Sequence, residues 1–349
     1  MSLPFVDVSP FLKKGTPPSP AKDTSAKSLF DACHDVGFFY LKGHGIPKET
    51  CDLVLDTVRN WMLTATDEEK ATIARKDAGV GDGDGARGYQ KIGENVTLGK
   101  SDFHEAIDLY ATHPLAPPSP PYQPLHGPNL WPNHLFSDIF TSYIDQILLL
   151  GAALMRCMAV ALSLPEDHFE PFINPSFWVC RAIGYPPLTP EAIKANPGGV
   201  GCGAHSDYGC WTFLLTDETR GALKVEGKDG EWIDANPVEG CYVVNVGDML
   251  MQWTNGLFKS TVHQGNHPPT LDLLQRYDGL MLTYMGIVVH LGSNYRVSVP
   301  VFFEPSWEAK ISPLEGCIVK TGGKALYGGA TYGEYLLGKV ASNFYTEKQ

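Results

Sequence analysis

The second half of the chain consists of short β-rich runs separated by turn residues, and this pattern constrains the fold more than any other feature. After Phe177 these runs are WVCRAIGY, CWTFLLT, ALKVEG, GEWIDA, CYVVNV, KSTVHQ, MLTYMGIVVHL and YRVSVPVFF. Gly, Asp and Asn stand between them, which is typical of a jelly roll or barrel. We therefore predict a jelly-roll (double-stranded β-helix) core.

The first part of the chain alternates between short strands and helices. Gly37 is predicted to end a helix, which Thr24 or Ser25 can cap, and FFYLKG follows as a strand. Pro47 begins another helix, and Thr66 with Glu69 forms a capping-box pattern.

A long apolar segment, from about His134 to Leu164, predicts a scaffold helix between the two halves. The predicted class is thus α+β. We expect an N-terminal α/β region over 1–125, a scaffold helix within 126–170, the catalytic jelly roll over 171–305, and a C-terminal tail and helix over 306–349.

Composition limits the possible partners of the chain. A formal charge of -12 over 349 residues gives no basic surface for a nucleic acid or an anionic membrane, so a small-molecule substrate fits better. No obligate protein partner is evident. Eight cysteines without a C-x-x-C pair indicate reduced thiols and a cytoplasmic location.

Two segments bear on targeting. The N-terminus MSLPFVDVSPFLKKG lacks the basic start and apolar run of a secretory signal, so we expect mature protein. Residues 147–164 approach the length of a membrane span. Arg156 lies at the centre of that stretch, and a charge there is costly in a membrane, so a buried core helix is predicted.

A histidine and an aspartate stand two positions apart in GAHSDYG. In an extended strand, His205 and Asp207 would leave the same face and could converge on one ion. His263 in KSTVHQ is the candidate third ligand. Two imidazoles and one carboxylate leave coordination positions open, which suits Fe(II), although zinc would bind the same ligands.

Arg296 and Ser298 stand two apart in NYRVSVP and would present a guanidinium and a hydroxyl to one interior. The planar guanidinium matches a bidentate acceptor such as the carboxylate of a ligand. The alternative is an internal salt bridge with an acidic residue of the protein.

These motifs, with LPFVDVSPF, DACHDVGFFYLKGHGIP and RGYQKIGENVTLGKSDFHEAIDLY, resemble the 2-oxoglutarate/Fe(II) dioxygenase superfamily in its isopenicillin N synthase-like branch. The resemblance implies iron held by His205, Asp207 and His263. It implies 2-oxoglutarate at Arg296 and Ser298, with Tyr185 near the other end of the co-substrate. Relatives often carry an asparagine where this chain has Ile183, two positions before that tyrosine.

The resemblance also implies the reaction. An enzyme of this kind consumes O2 and 2-oxoglutarate, releases succinate and CO2, and oxidises a small organic molecule, here by hydroxylation. No catalytic residue beyond the metal ligands is expected. Candidates for the substrate pocket are Tyr89, Phe103 and Phe303.

Two other functions stay open at this point. The first is an Fe(II) oxidase of the same fold that does not use 2-oxoglutarate, and the pair Arg296 and Ser298 argues against it. The second is a non-catalytic jelly-roll protein that binds a small ligand, and the open ligand triad argues against that.

The spacing between the third ligand and the arginine is unusual. Relatives separate these residues by roughly ten positions, whereas His263 and Arg296 are 33 apart. We predict an insertion over residues 265–287. Pro268 and Pro269 cannot continue a central strand, so the strand is expected to end soon after His263. His290 is then expected to be a hairpin residue rather than the third ligand.

Overall fold

The computed structural model describes residues 2–97, 100–187, 202–227, 230–265 and 294–344. Apart from Gly265, the predicted insertion lies outside the described residues, and so does His290. That hypothesis therefore stays a prediction.

The helices of the described chain lie mainly before the β-rich half and at the C-terminus. They are α1 (Pro20–Asp35), α2 (Lys48–Thr64), α3 (Asp67–Thr72), α4 (His134–Ala161), α5 (Glu170–Ile173), α6 (Asp248–Trp253), α7 (Glu315–Lys320) and α8 (Tyr332–Phe344). A 3-10 turn spans Ser9–Phe11.

Sixteen strands are described, of which twelve form two principal sheets and four form two small two-stranded sheets. They are β1 (Phe5–Asp7), β2 (Phe38–Lys42), β3 (Gly88–Gln90), β4 (Val96–Thr97), β5 (Lys100–Ser101), β6 (Glu105–Tyr110), β7 (Trp178–Tyr185), β8 (Cys202–His205), β9 (Trp211–Thr216), β10 (Leu223–Glu226), β11 (Trp232–Asp234), β12 (Tyr242–Val246), β13 (His263–Gly265), β14 (Arg296–Phe303), β15 (Lys310–Ile311) and β16 (Ala330–Thr331). An eight-stranded sheet has the order β1-β2-β12-β9-β14-β7-β6-β3, and a four-stranded sheet has the order β11-β10-β13-β8.

This topology confirms the predicted fold class. Nearly all pairs within the two sheets are antiparallel, and only β1 pairs with β2 in parallel among the described strands. Strands from the N-terminal region, β1, β2, β3 and β6, extend the same large sheet that the later strands form. The four-part division into 1–125, 126–170, 171–305 and 306–349 stays a prediction.

Apolar side chains divide into layers on the two faces of the large sheet. On the outer face, alternate residues of β6, β7 and β14 pack with α4 in the main core, which includes Ile107, Cys180 and Val299. The opposite face, here called the inner face, carries a second core shared with the four-stranded sheet, including Phe38 and Val225. The inner face is therefore where side chains can converge between the sheets.

α4 explains the long apolar segment. The helix is long and apolar enough to span a membrane, yet 56% of its most apolar stretch is buried within the protein. Arg156 Nη2 donates to the backbone oxygen of Phe11 at 2.6 Å, and Arg156 Nε lies 3.8 Å from a Glu166 carboxylate oxygen. The interpretation as a buried core helix is confirmed.

Helix starts follow local capping chemistry, with one correction. The Thr66 and Glu69 capping box forms as predicted, with both reciprocal hydrogen bonds present. The prediction that Thr24 or Ser25 caps α1 is wrong, because the helix begins at Pro20 and Ser19 accepts from the Lys22 amide. Proline lacks an amide hydrogen and has a preset φ, so it suits the first helical position.

Glycine at position 151 lets α4 approach β14 closely. A Cβ there would lie 2.2 Å from the Phe303 ring, whereas nothing lies within 4 Å of a Cβ at Gly338 in α8. We expect Gly151→Ala to lower the free energy of unfolding by about 1–3 kcal/mol through overpacking. Gly338→Ala is expected to raise it by up to about 1 kcal/mol, because alanine favours the helix. Urea denaturation of both variants checks this, and equal effects would contradict the proposed close contact.

Candidate functional site

The three predicted metal-ligand residues come together at the ends of β8 and β13. His205 and His263 are directly opposite each other in the antiparallel pair. Each histidine Nε2 lies 3.7 Å from Asp207 Oδ1, and one ligand atom from each of the three residues lies within 4.8 Å of the others. Ligands about 2.1 Å from a common ion have mutual distances of this order.

Two details of the strands differ from the predictions. β8 ends at His205, so Asp207 is not on the same strand but in the following turn, where its backbone oxygen accepts from the Asp248 amide at 2.8 Å. β13 begins at His263, so residues 259–262 are not part of a strand. The N-terminus of α6 holds the turn, and it thereby brings the carboxylate to the histidines.

The carboxylate of Asp207 is buried and oriented by two donors. Thr212 Oγ1 and Asn245 Nδ2 both donate to Oδ2, the latter at 2.7 Å, so that Oδ1 faces the histidines. Burial alone would raise the pKa of Asp207, but His263, His205 and these two hydrogen bonds together lower it below its usual value. The charged form that a metal requires is therefore favoured.

His263 is held in the form that binds a metal. Burial lowers its pKa to about 4, against the opposing effect of Asp207, so the imidazole is neutral at pH 7. Nδ1 of His263 lies 3.1 Å from the Thr261 backbone oxygen. The Phe38 ring packs against the imidazole, with the two ring centres 5.0 Å apart. A donor at Nδ1 fixes the tautomer and leaves the Nε2 lone pair for an ion.

A second buried acid lies behind the metal-ligand turn. Burial, with a contribution from Asp207, raises the pKa of Glu304 to about 8, so its carboxyl is mostly protonated at pH 7. A Cβ at Gly209 would lie 1.5 Å from this carboxyl, so glycine leaves the space that Glu304 occupies. The protein thus avoids a second full negative charge beside Asp207.

The residues predicted to bind the co-substrate also lie on the inner face. Arg296 is opposite Tyr185, and Ser298 is opposite Ile183, across β14 and β7. Arg296 is only 3% exposed, and its Cζ lies 4.5 Å from the centre of the Tyr185 ring. Its Nε and Nη1 have no hydrogen-bond partner among the described residues, and no described carboxylate forms an ion pair with it. A buried guanidinium in this state fits an acidic ligand.

Two of the candidate pocket residues point away from this face. Tyr89 and Phe303 both belong to the main core, so their prediction as pocket residues is wrong. Because side chains alternate along a strand, the neighbour of Tyr89, Gln90, faces the other way. Phe103 is half-buried, and its assignment to the pocket stays a prediction.

The sequence analysis missed Thr212 and Asn245, and it missed a set of polar residues on the inner face. This set consists of Gln90, Asp108 and Arg181, and the side chains of Gln90 and Arg181 both donate hydrogen bonds to the Asp108 carboxylate. Period-two alternation along the strands gives the faces, but only the register shows which side chains meet.

A surface cleft elsewhere on the molecule contains none of the three metal-ligand residues. It lies between α2 and the ends of β9 and β12, and its lining includes His44, Arg59, Asp217, Glu239 and Tyr242. The cleft is thus separate from the candidate centre.

Two family models match the chain on either side of α4. Residues 3–134 match the model described as the N-terminal region of a non-haem dioxygenase in morphine synthesis. Residues 177–305 match the 2OG-Fe(II) oxygenase superfamily. The second match contains the candidate metal residues together with Arg296 and Ser298.

Several proteins are similar to this chain over nearly its whole length. A homoarginine-6-hydroxylase of Oryza sativa is 38% identical over 352 residues, covering 98% of each chain, and one of Glycine max is 36% identical, covering 98% of this chain and 97% of the relative. Among solved structures, a full-length Neurospora crassa protein in complex with alpha-KG and thymine has a TM-score of 0.76 at 26% identity, covering 97% of this chain and 96% of that one.

The chain belongs to the 2OG-Fe(II) oxygenase superfamily. It is an oxidoreductase, a 2-oxoglutarate- and Fe(II)-dependent hydroxylating dioxygenase whose co-substrates are 2-oxoglutarate and O2. The predicted family, activity and cofactors are confirmed.

The two donors to Asp207 should matter for metal affinity. We expect Thr212→Val to weaken Fe(II) binding about 10- to 100-fold, since it removes a hydrogen bond that orients a ligand. The loss of a donor to the charged form also raises the Asp207 pKa, so affinity should fall at a higher pH than in the wild type as the solution is acidified.

Titration of iron against a competing chelator from about pH 7 down to about pH 4, towards the ordinary range of a carboxyl pKa, measures both effects. Thr216→Val is the matched control, because Thr216 lies at the end of the same strand and its hydroxyl lies 3.5 Å from the Val297 backbone oxygen. Equal iron affinity in the two variants would show that Thr212 does not support the metal centre.

Proposed function

We propose that the chain hydroxylates a long, cationic α-amino acid of the homoarginine type, with iron bound by His205, Asp207 and His263. Relatives bearing the name homoarginine-6-hydroxylase, which cover 98% of this chain, support the substrate class. The converging atoms of the triad support the ligand assignment.

In this proposal, Arg296 and Ser298 bind the distal carboxylate of 2-oxoglutarate, and Tyr185 borders the other end of the co-substrate. The observation that carries the assignment is the buried Arg296 guanidinium, whose Nε and Nη1 lack partners among the described residues. When bound, iron and 2-oxoglutarate together supply the oxidising chemistry, in which 2-oxoglutarate is converted to succinate and CO2.

The residues of the chain hold this chemistry in place. Thr212 and Asn245 fix the Asp207 carboxylate, and the Thr261 carbonyl fixes the tautomer of His263. Tyr185 packs on the guanidinium of Arg296 and shields it from water. We nominate no general base, since the reaction class needs none beyond the metal centre.

The names of the relatives support a small molecule as the substrate. A cytoplasmic location, the absence of an obligate protein partner, and the absence of nucleic-acid or membrane binding stay predictions.

Coupled turnover tests the proposed function. Purified protein with Fe(II), 2-oxoglutarate and homoarginine should form succinate together with a product that has gained one oxygen atom, both measured by mass spectrometry. His205→Ala, Asp207→Ala and His263→Ala should each lose bound iron and turnover. The control is His34→Ala, which removes a half-exposed histidine on α1 that pairs with its neighbour Asp35.

Two results would contradict parts of this proposal separately. Wild-type iron content and activity in any of the three alanine variants would remove that residue from the ligand set. Succinate formation that homoarginine does not stimulate, in protein with intact iron, would reject the substrate class and leave the metal centre in place.

The co-substrate assignment gives its own expectation. Arg296→Leu should raise the KM for 2-oxoglutarate about 10- to 100-fold, since a charge-assisted contact contributes on the order of 1.5–3 kcal/mol. Iron affinity should be retained. The exposed Arg220 provides the control variant Arg220→Leu, and an unchanged KM in Arg296→Leu would favour a structural role for Arg296.

A further inference from the structure

Four polar side chains form a hydrogen-bonded chain on the inner face, and we call them the polar quartet: Gln90, Asp108, Arg181 and Asn95. Arg181 Nε donates to Asp108 Oδ1 at 2.6 Å, and Gln90 Nε2 donates to the other carboxylate oxygen. At the opposite end, Arg181 Nη2 donates to Asn95 Oδ1 at 3.1 Å. Gln90, Asp108 and Asn95 are buried, with 1%, 5% and 8% of their surface exposed.

The partners of the two amides determine how the amides are oriented. A carboxylate only accepts hydrogen bonds, so the Gln90 nitrogen must face Asp108 and its oxygen must face away. A guanidinium only donates, so the Asn95 oxygen must face Arg181 and its nitrogen must face away. The quartet therefore has an acceptor at its acidic end and a donor at its basic end.

Both outward atoms are buried, and both are unsatisfied within the described part of the chain. Gln90 Oε1 and Asn95 Nδ2 have no hydrogen-bond partner among the described residues. Native proteins rarely leave such groups unpaired, because each costs free energy when it is removed from water without a partner. Two of them at opposite ends of one cluster point to a ligand with both a donor and an acceptor.

The sheet register places the quartet beside the catalytic centre. Thr216, Ser298, Ile183, Ala106 and Gln90 are successive cross-strand partners over β9, β14, β7, β6 and β3. Asp108 and Arg181 are partners in the next inner-face row. Ser298 is directly opposite Ile183 on the neighbouring strand, and Arg181 is two residues from Ile183 along β7. Arg181 and Ser298 therefore lie on the order of 8 Å apart.

The metal side of the site is also close to the quartet. Asn95 immediately precedes β4, and β4 lies against β8, the strand that ends at His205. Between the quartet and Ser298 the inner face carries Ala106 and Ile183, which pack with Tyr185 in a small apolar cluster. An apolar path thus connects a polar end with the co-substrate site.

We propose that the polar quartet binds the α-amino acid head group of the substrate. The substrate ammonium lies at Gln90 Oε1 and Asp108, and the substrate carboxylate lies at Asn95 Nδ2 and Arg181. The aliphatic chain of the substrate then runs over Ala106 and Ile183 towards the iron. This inference rests on the proposed function, which supplies an amino acid as the substrate class.

The charges favour this orientation over binding of the substrate guanidinium. Arg181 already pairs with Asp108, so a substrate guanidinium at this carboxylate would bring a positive charge up to Arg181 with no anion to offset it. The ammonium of a head group arrives together with a carboxylate, which lies at Arg181. A zwitterionic head group instead meets each charge of the quartet with its opposite.

Binding of homoarginine and its analogues to the anaerobic protein loaded with Fe(II) and 2-oxoglutarate tests the proposal. Measured by calorimetry, wild-type protein should bind N-acetyl-homoarginine about 10- to 100-fold more weakly than homoarginine. The methyl ester of homoarginine should bind more weakly by a similar factor. These ligand comparisons need no variant and so do not depend on how a variant folds.

Two variants then assign the ends. Asp108→Asn should bind homoarginine weakly and no longer discriminate against N-acetyl-homoarginine, yet it should still discriminate against the methyl ester. Asn95→Ala should show the reverse. The affinity for 2-oxoglutarate should be unchanged in both variants. Asp234→Asn is the matched control, because Asp234 also pairs with a basic residue, Lys224, on a neighbouring strand.

The head-group assignment and the proposed function fail on different results. Wild-type protein that binds homoarginine and both analogues equally well would overturn the head-group assignment and leave the proposed function intact. An Asp108→Asn penalty that disappears when lysine replaces homoarginine would assign the guanidinium to the quartet instead. Failure of wild-type protein to bind homoarginine at all would overturn both proposals.

Discussion

The antiparallel register of β14 between β7 and β9 determines which side chains can take part in the site. Val297, Val299 and Val301 are buried in the main core, so the residues between them must face inward. Burying each valine contributes about 1.5–3 kcal/mol, and a shift of one residue would expose all three. The outer core therefore keeps Arg296 and Ser298 on the inner face.

Much of this architecture could be predicted from local sequence. WVCRAIGY coincides with β7, and YRVSVPVFF contains β14, because alternation and flanking turn residues are local signals. The metal triad could also be predicted, since an H-x-D pair and a later histidine are short motifs. The position of Asp207 beyond the end of β8 could not, because its turn depends on the backbone of α6, distant in sequence.

The polar quartet shows where local reasoning ends. Gln90 and Arg181 are 91 positions apart, and both meet Asp108 only because β6 pairs with β3 on one side and with β7 on the other. Strand periodicity predicts that Tyr89 and Gln90 face opposite ways, but not which of them faces the core. The aromatic Tyr89 is the predicted pocket residue of the two, and its packing in the main core gives the inner face to Gln90 instead.

Charge balance explains the unusual environment of Glu304. With iron and 2-oxoglutarate bound as proposed, the charges of iron(II) and Arg296 would be neutralised by 2-oxoglutarate and Asp207, and Asp108 and Arg181 neutralise each other. An additional buried anion would be left without a partner, which is costly in a low-dielectric interior. Because burial and Asp207 raise the Glu304 pKa to about 8, its carboxyl stays mostly neutral at pH 7. Gly209 follows from the same constraint, since a side chain there would occupy the space of this neutral carboxyl behind the metal-ligand turn.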